Sequence, residues 1–254
     1  MKDKKKTVLI TGATSGIGEA AARIFAANDY NLIITGRRKD RLEKLAGELR
    51  KQEAEVFTLC FDVRKNSEVE KNISSLQGDW KNIDVLLNNA GLASGLGPIQ
   101  NGQLEDWEKM IDTNIKGLLY VTRAITPLMI ARNQGHIINI ASVAGKEVYP
   151  NGNVYCATKH AVDALSRSMR IDLLPHGIKV TNIAPGLVET EFSIVRFHGD
   201  KERADNVYKG YQPLTAADIA DAIWYAASRP AHFCVNDMVL TPLAQANAYV
   251  LKKD

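Results

Sequence analysis

Cysteine is scarce in this chain of 254 residues: Cys60, Cys156 and Cys234 are odd in number and far apart, with no CxxC pair. That spacing excludes a zinc ribbon and a disulfide framework, and leaves packing thiols in a reducing compartment as the expectation. Long apolar runs are missing too. None reaches 18 residues, so no membrane span is expected. The opening MKDKKKTVLITG lacks the apolar core and small-residue cleavage site of a signal peptide, and a cytoplasmic location is expected. No linker, low-complexity stretch or repeat divides the chain, so one domain is expected across 1–254.

A strongly signed charge is absent from the body of the chain. The total is +3, yet Lys2, Lys4, Lys5, Lys6, Lys252 and Lys253 against Asp3 and Asp254 put a net +4 at the two ends, leaving −1 between them. A nucleic-acid binder carries its excess charge on a folded face. Solvated tails are the better reading, and no nucleic-acid partner is expected.

What is present is an alternation of short β-rich runs with longer amphipathic segments. TVLIT (7–11), NLIIT (31–35), EVFTLCFDV (55–63), IDVLLNN (83–89), HIINIAS (136–142), IKVTNIAP (178–185) and DMVLT (237–241) read as strands. Helical patterns fall between them, among them a long one over about 105–131 and another over about 153–174. The strands are near-continuous apolar runs, as parallel strands buried on both faces require. Repeated β-then-α units imply right-handed crossovers and an α/β fold, a doubly wound parallel sheet of about seven strands.

The first β–α turn, TGATSGIGEAA, carries Gly12, Gly16 and Gly18. Glycine lets backbone approach a pyrophosphate closely at a positive helix N-terminus, where a Cβ would obstruct it. The spacing is GxxxGxG, and its place between strand and helix favours a dinucleotide. The end of strand two tells which one. An acidic residue there would accept from a ribose hydroxyl, but the sequence reads TGRRKDR: Gly36 leaves room while Arg37 and Arg38 supply cationic forks. Guanidinium suits a 2′-phosphate. Two cations at a helix start oppose its dipole unless an anion binds. NADP is expected over NAD.

NVYCATKHA (153–161) puts Tyr155 and Lys159 four residues apart on one helical face, where Cβ atoms stand about 5–6 Å apart. An ammonium near a phenol pulls its pKa down from about 10. A tyrosine so tuned can protonate a carbonyl oxygen or deprotonate an alcohol. Three companions strengthen the pattern. Ser142 follows strand five at the carboxyl edge, where ligands of open α/β sheets bind. NNAG (88–91) ends strand four on the same edge. Asn114 is an amide inside a predicted helix, where asparagine is intrinsically poor.

The ordered set TGATSGIG, NNAG, Asn114, Ser142, YCATK and PG at 185–186 resembles the short-chain dehydrogenase/reductase family over essentially the whole chain. The resemblance implies Tyr155 as general acid/base, Lys159 as its pKa modulator and a binder of the nicotinamide ribose, Ser142 as the group polarising substrate, and Asn114 in a proton relay. It further implies cofactor contacts at Gly12, Thr14, Ser15, Gly16, Ile17 and Gly18, with Asp62 and Val63 flanking the adenine. Asn89, Ala90 and Gly91 would lie along the cofactor, with Pro185, Gly186 and Val188 around its nicotinamide end. Segments such as PGLVETEFSIVRFHGD are similar to the branch of NADP-dependent 3-hydroxy acid dehydrogenases, usually homotetramers, that includes enzymes of serine and allo-threonine. Cys156 departs from that pattern and is expected to face away from the tyrosine.

The segment around 187–212 is expected to form a lid over the substrate, ordering on cofactor binding, with Arg196 reading a substrate carboxylate. Two alternatives stay open: a reductase of bulkier carbonyl or 3-oxoacyl substrates using the same catalytic residues, and a non-catalytic NADP-binding sensor.

Overall fold

The structure, a computed structural model, describes residues 5–254; Lys2, Asp3 and Lys4 of the charged N-terminal tail lie outside the described residues. Strands β1 (Thr7–Ile10), β2 (Asn31–Gly36), β3 (Val56–Cys60) and β4 (Ile83–Asn88) alternate with helices α1 (Gly16–Ala27), α2 (Lys39–Arg50) and α3 (Asn66–Ser74). Helices α4 (Leu104–Ile111) and α5 (Leu118–Ile130), strand β5 (Gly135–Ile140), helix α6 (Asn153–Leu173) and strand β6 (Ile178–Pro185) follow. The remainder holds β7 (Val188–Glu189), α7 (Phe192–Arg196), α8 (Lys201–Asn206), β8 (Leu214–Thr215), α9 (Ala216–Ala227) and β9 (Asp237–Leu240).

The main sheet has seven parallel strands in the order β3-β2-β1-β4-β5-β6-β9, and β7 pairs with β8 in a separate two-stranded ribbon. Alternate residues of each strand serve opposite layers, as the period of two demands. Val8, Ile10, Leu32 and Ile34 pack with Phe25 of α1, Leu42 of α2 and Ile223 of α9. Leu9, Ile33 and Leu86 pack with Val69 of α3, Ile125 of α5 and Val162 of α6. The expected doubly wound sheet is therefore the observed one.

Strand order reverses between β1 and β4, and that topological switch opens a crevice at the carboxyl ends of the strands. Two expectations need correction. The third strand is shorter than EVFTLCFDV, ending at Cys60 so that Asp62 and Val63 lie in the following loop. The helical stretch over 105–131 is interrupted by a π-helical turn, Asp112–Gly117. Such bulges widen the helix by one residue and commonly sit at functional sites; this one carries Asn114.

Candidate active site

A cavity of about 430 Å³ runs along the crevice from the β2 end to the segment after β6. The glycine turn forms one wall. Gly12 adopts φ +68°, a left-handed conformation that glycine takes without steric cost. Gly18 does not line the cavity. A Cβ there would collide with the Gly12 carbonyl and the Asn89 amide, so its smallness serves close packing of turn on helix. Thr11, which the sequence reading passed over, joins this wall to the next. Its hydroxyl accepts from the backbone N–H groups of Asn89 and Ala90, both at 3.0 Å. The Asn89 side chain donates in return to the carbonyls of Thr11 and Gly12. Asn89 is thus a bolt between the two loops as well as a cavity residue.

At the β2 end Arg38 is already engaged. Its Nε donates to Thr14 Oγ1 at 3.1 Å and its Nη2 to Ser15 Oγ at 2.8 Å, while Nη1 donates to Glu191 Oε2 at 2.9 Å. Arg41, which the sequence reading did not single out, donates to the other Glu191 oxygen at 2.7 Å. An anion does meet the arginines, as the helix-dipole argument required, but it is one the chain itself supplies. Arg37 stands 3.9 Å from Asp62, and Asp62 is bound by Arg64 at 2.6 Å. Burial opposes ionisation of Asp62, yet the hydrogen bonds and charge of Arg64, helped by Arg37, hold its carboxyl below the usual range.

The opposite end of the cavity brings together Ser142, Tyr155 and Lys159, all buried. Ser142 follows β5; its hydroxyl donates to the Pro185 carbonyl at 3.2 Å and accepts from the Ala144 N–H. Tyr155 and Lys159 share a face in the first turns of α6. Asn114 lies behind the cavity wall and does not line it. Its amide clamps Leu92 from both sides, accepting from Leu92 N–H at 2.9 Å and donating to Leu92 O at 2.8 Å, and it also donates to Thr158 Oγ1. The π turn is what delivers this side chain to the backbone after NNAG.

The expected tuning of the phenol is not what this geometry gives. Burial raises the Tyr155 pKa above its ordinary value; the charge of Arg196 and a contact with the Ser142 hydroxyl only partly oppose it. Lys159 points its Nζ at the Ile140 carbonyl, 2.8 Å away, and stands 5.9 Å from the Tyr155 ring centre. Burial lowers Lys159 itself to about 8. The cation nearest the ring is Arg196. Its guanidinium lies 4.8 Å from the Tyr155 ring centre and 5.2 Å from that of Phe192, and its Nη2 donates to the Tyr149 hydroxyl at 2.6 Å. Among the described residues its buried Nε has no hydrogen-bond partner.

All other cofactor positions expected from the sequence line the same cavity, from Thr14 to Val188. Tyr149, Glu191, Phe192 and Gln245 line it too and were not foreseen. Each sits in a loop or at an element end with no periodic signal. Cys156 is buried outside the cavity, in the small core between α4 and α6 that also takes in Tyr155. Among the described residues no group of His, Cys, Asp and Glu could hold a metal ion.

With strand order, glycine turn and buried tyrosine–lysine pair in place, the chain belongs to the short-chain dehydrogenase family, whose model matches residues 6–200. It is 50% identical over 242 residues to the NADP-dependent 3-hydroxy acid dehydrogenase of Salmonella typhi, covering 95% of this chain and 96% of that protein. It is 46% identical to sulfoacetaldehyde reductase 2 of Chromohalobacter salexigens, over 97% of this chain and 98% of the relative. Among solved structures, the closed form of a serine dehydrogenase complexed with NADP+ superposes with a TM-score of 0.92. That structure shares 45% identity and covers 98% of this chain and 99% of its own.

Proposed function

We propose that this chain is an NADP(H)-dependent oxidoreductase interconverting a small 3-hydroxy acid and its 3-oxo form, with Tyr155 as general acid/base. One observation carries the substrate class: a half-buried arginine, Arg196, whose buried Nε is unpartnered, stands 4.8 Å from the ring of the proton-transferring tyrosine. An anionic head group paired with Arg196 would leave the carbon two bonds further along beside Ser142 and Tyr155. The names of the relatives, a 3-hydroxy acid dehydrogenase and a sulfoacetaldehyde reductase, agree with a short anionic substrate.

The cavity suits the cofactor. The glycine turn leaves space where side chains would intrude, and Arg37, Arg38 and Ser15, which line the same cavity, would hold the 2′-phosphate. Bound there, NADP(H) supplies or accepts the hydride. The chain does the rest. Ser142 and Tyr155 hold the reacting oxygen through their hydroxyls. In reduction the neutral Tyr155 gives its proton to that oxygen; in oxidation its phenolate takes the proton back. Lys159, its amine held by the Ile140 carbonyl, would bind the cofactor's ribose near the tyrosine, and Asn114 fixes the Leu92 backbone beside the cavity. The segment 187–212 acts as the lid, excluding water while it carries Arg196 to the substrate.

The same reading has the protein working in the cytoplasm as a homotetramer without nucleic-acid or membrane partners. Exposed Ile171 and Leu174 offer apolar contact area near the end of α6, and no helix among the described residues is long and apolar enough to cross a membrane.

The test follows NADPH absorbance with serine, 3-hydroxypropionate, 3-hydroxyisobutyrate, their oxidised forms, sulfoacetaldehyde and a 3-oxoacyl thioester. Turnover of the short anionic compounds is expected. Turnover of the thioester alone would return the bulky-carbonyl reading, and none at all the sensor reading.

A further inference from the structure

Arg38, which lines the end of the cavity expected to take the phosphate, already grips an anion together with its neighbour Arg41. Glu191 uses both carboxylate oxygens on two different guanidiniums, Oε2 on Arg38 and Oε1 on Arg41. It lies in the connection between β7 and α7, whereas the arginines belong to the β2–α2 connection and to α2 itself. The contact therefore links the segment after β6 to the β2–α2 connection, and Glu191 lines the cavity together with Arg37, Arg38 and Ser15. Arg38 has little left to give. Its Nε and Nη2 hold Thr14 and Ser15, so Nη1 is the arm not committed to the glycine turn, and Glu191 takes it.

We propose that Glu191 is a specificity-determining residue, a built-in carboxylate steadied by Arg41 that competes with the cofactor's 2′-phosphate for Arg38. A phosphate monoester carries more charge than a carboxylate and presents three acceptor oxygens, so it wins the exchange. Its affinity is nonetheless reduced by the pair it must break and by the like charge left nearby. A dinucleotide without the 2′-phosphate meets neither cost. Glu191 thus narrows the preference for NADP over NAD that the arginines would otherwise impose. At 43% side-chain exposure it is free to swing aside into water.

The inference rests on Arg38 being a 2′-phosphate ligand, and the experiment separates the two ideas. Dissociation constants for NADPH, NADH and 2′,5′-ADP are measured without substrate, by cofactor fluorescence and titration calorimetry, on the wild-type chain, Glu191→Gln, Glu191→Ala and Arg38→Ala. Both Glu191 variants are expected to bind NADPH and 2′,5′-ADP about tenfold more tightly, with NADH changed less than about twofold. Equal or weaker NADPH binding in both variants overturns the competition. If Arg38→Ala still weakens NADPH selectively in that case, the phosphate site stands and only the role of Glu191 falls. If Arg38→Ala leaves NADPH unaffected, the underlying reading of the site is wrong as well.

Discussion

The guanidinium of Arg196 lies 4.8 Å from the centre of the Tyr155 ring, nearer than the Lys159 amine at 5.9 Å. A group placed by the segment after β6 therefore lines the cavity beside the phenol to which the proposed function gives the proton transfer. Arg196→Gln should raise KM for 3-hydroxy acids by about 30-fold, the cost of a lost charge-assisted pair, and raise KM for an uncharged alcohol far less. Steady-state kinetics on matched charged and neutral substrates decide this. Equal effects would make Arg196 a packing residue.

Direction should depend on pH. Burial raises the Tyr155 pKa, so its neutral, proton-donating form prevails throughout the neutral range. Reduction is then the direction whose catalyst is ready at neutral pH, and oxidation should climb as alkali populates the phenolate. Lys159, lowered to about 8 by burial, loses its charge above that value. The kcat for reduction should accordingly fall above about pH 8, and a Lys159→Met variant should be slower and lack that break. Profiles of kcat against pH in both directions provide the check; an oxidation rate flat from neutral to alkaline pH would contradict the assignment.

Asn114 should matter to stability as well as to rate. Its amide satisfies the buried Leu92 N–H and carbonyl and also bonds Thr158. Asn114→Ala strands those groups and should cost about 1–3 kcal/mol in urea unfolding. Asn114→Asp keeps the acceptor for the Leu92 N–H but loses the donor to its carbonyl, and should recover only part of that loss.

A buried histidine gives an acid-sensitivity prediction remote from the site. His136 bonds Thr181 at 2.7 Å, and burial lowers its pKa to about 3 from an ordinary 6.5. Below pH 6.5 the unfolded chain takes up a proton that the folded chain refuses. This contribution to stability is therefore complete above pH 6.5 and is lost as pH falls toward about 3. Denaturant titrations between pH 7 and 4 should show that slope in the wild type and a shallower one in His136→Gln. Parallel slopes would show that His136 is not the group responsible.

Much of this was legible in the sequence, for identifiable reasons. Parallel strands bury both faces, so Val8–Ile10 and Leu32–Ile34 read as unbroken apolar runs, and a doubly wound parallel sheet of about seven strands followed from their alternation with helices, whereas the strand order came only with the structure. The glycine turn, Ser142, Tyr155 and Lys159 were visible because each occupies a fixed place relative to a strand end or helical turn. The rest depended on distances no spacing encodes. Glu191 reaches Arg38 across 153 residues, and Tyr149 meets Arg196 across 47. The π turn that aims Asn114 left no trace in an otherwise helical pattern. The raised pKa of Tyr155 was illegible for a related reason: i,i+4 spacing put the lysine beside the tyrosine, but it revealed neither the depth of burial nor the carbonyl of Ile140 that takes the amine.

The most direct trial of the central claim is Tyr155→Phe, which deletes one oxygen and leaves the ring that packs against Phe192. Turnover of a responsive 3-oxo acid by NADPH absorbance, paired with the NADPH dissociation constant by fluorescence, separates chemistry from binding. The account predicts a fall in kcat of about 10³-fold with cofactor binding nearly unchanged. Undiminished turnover with normal NADPH binding would contradict it.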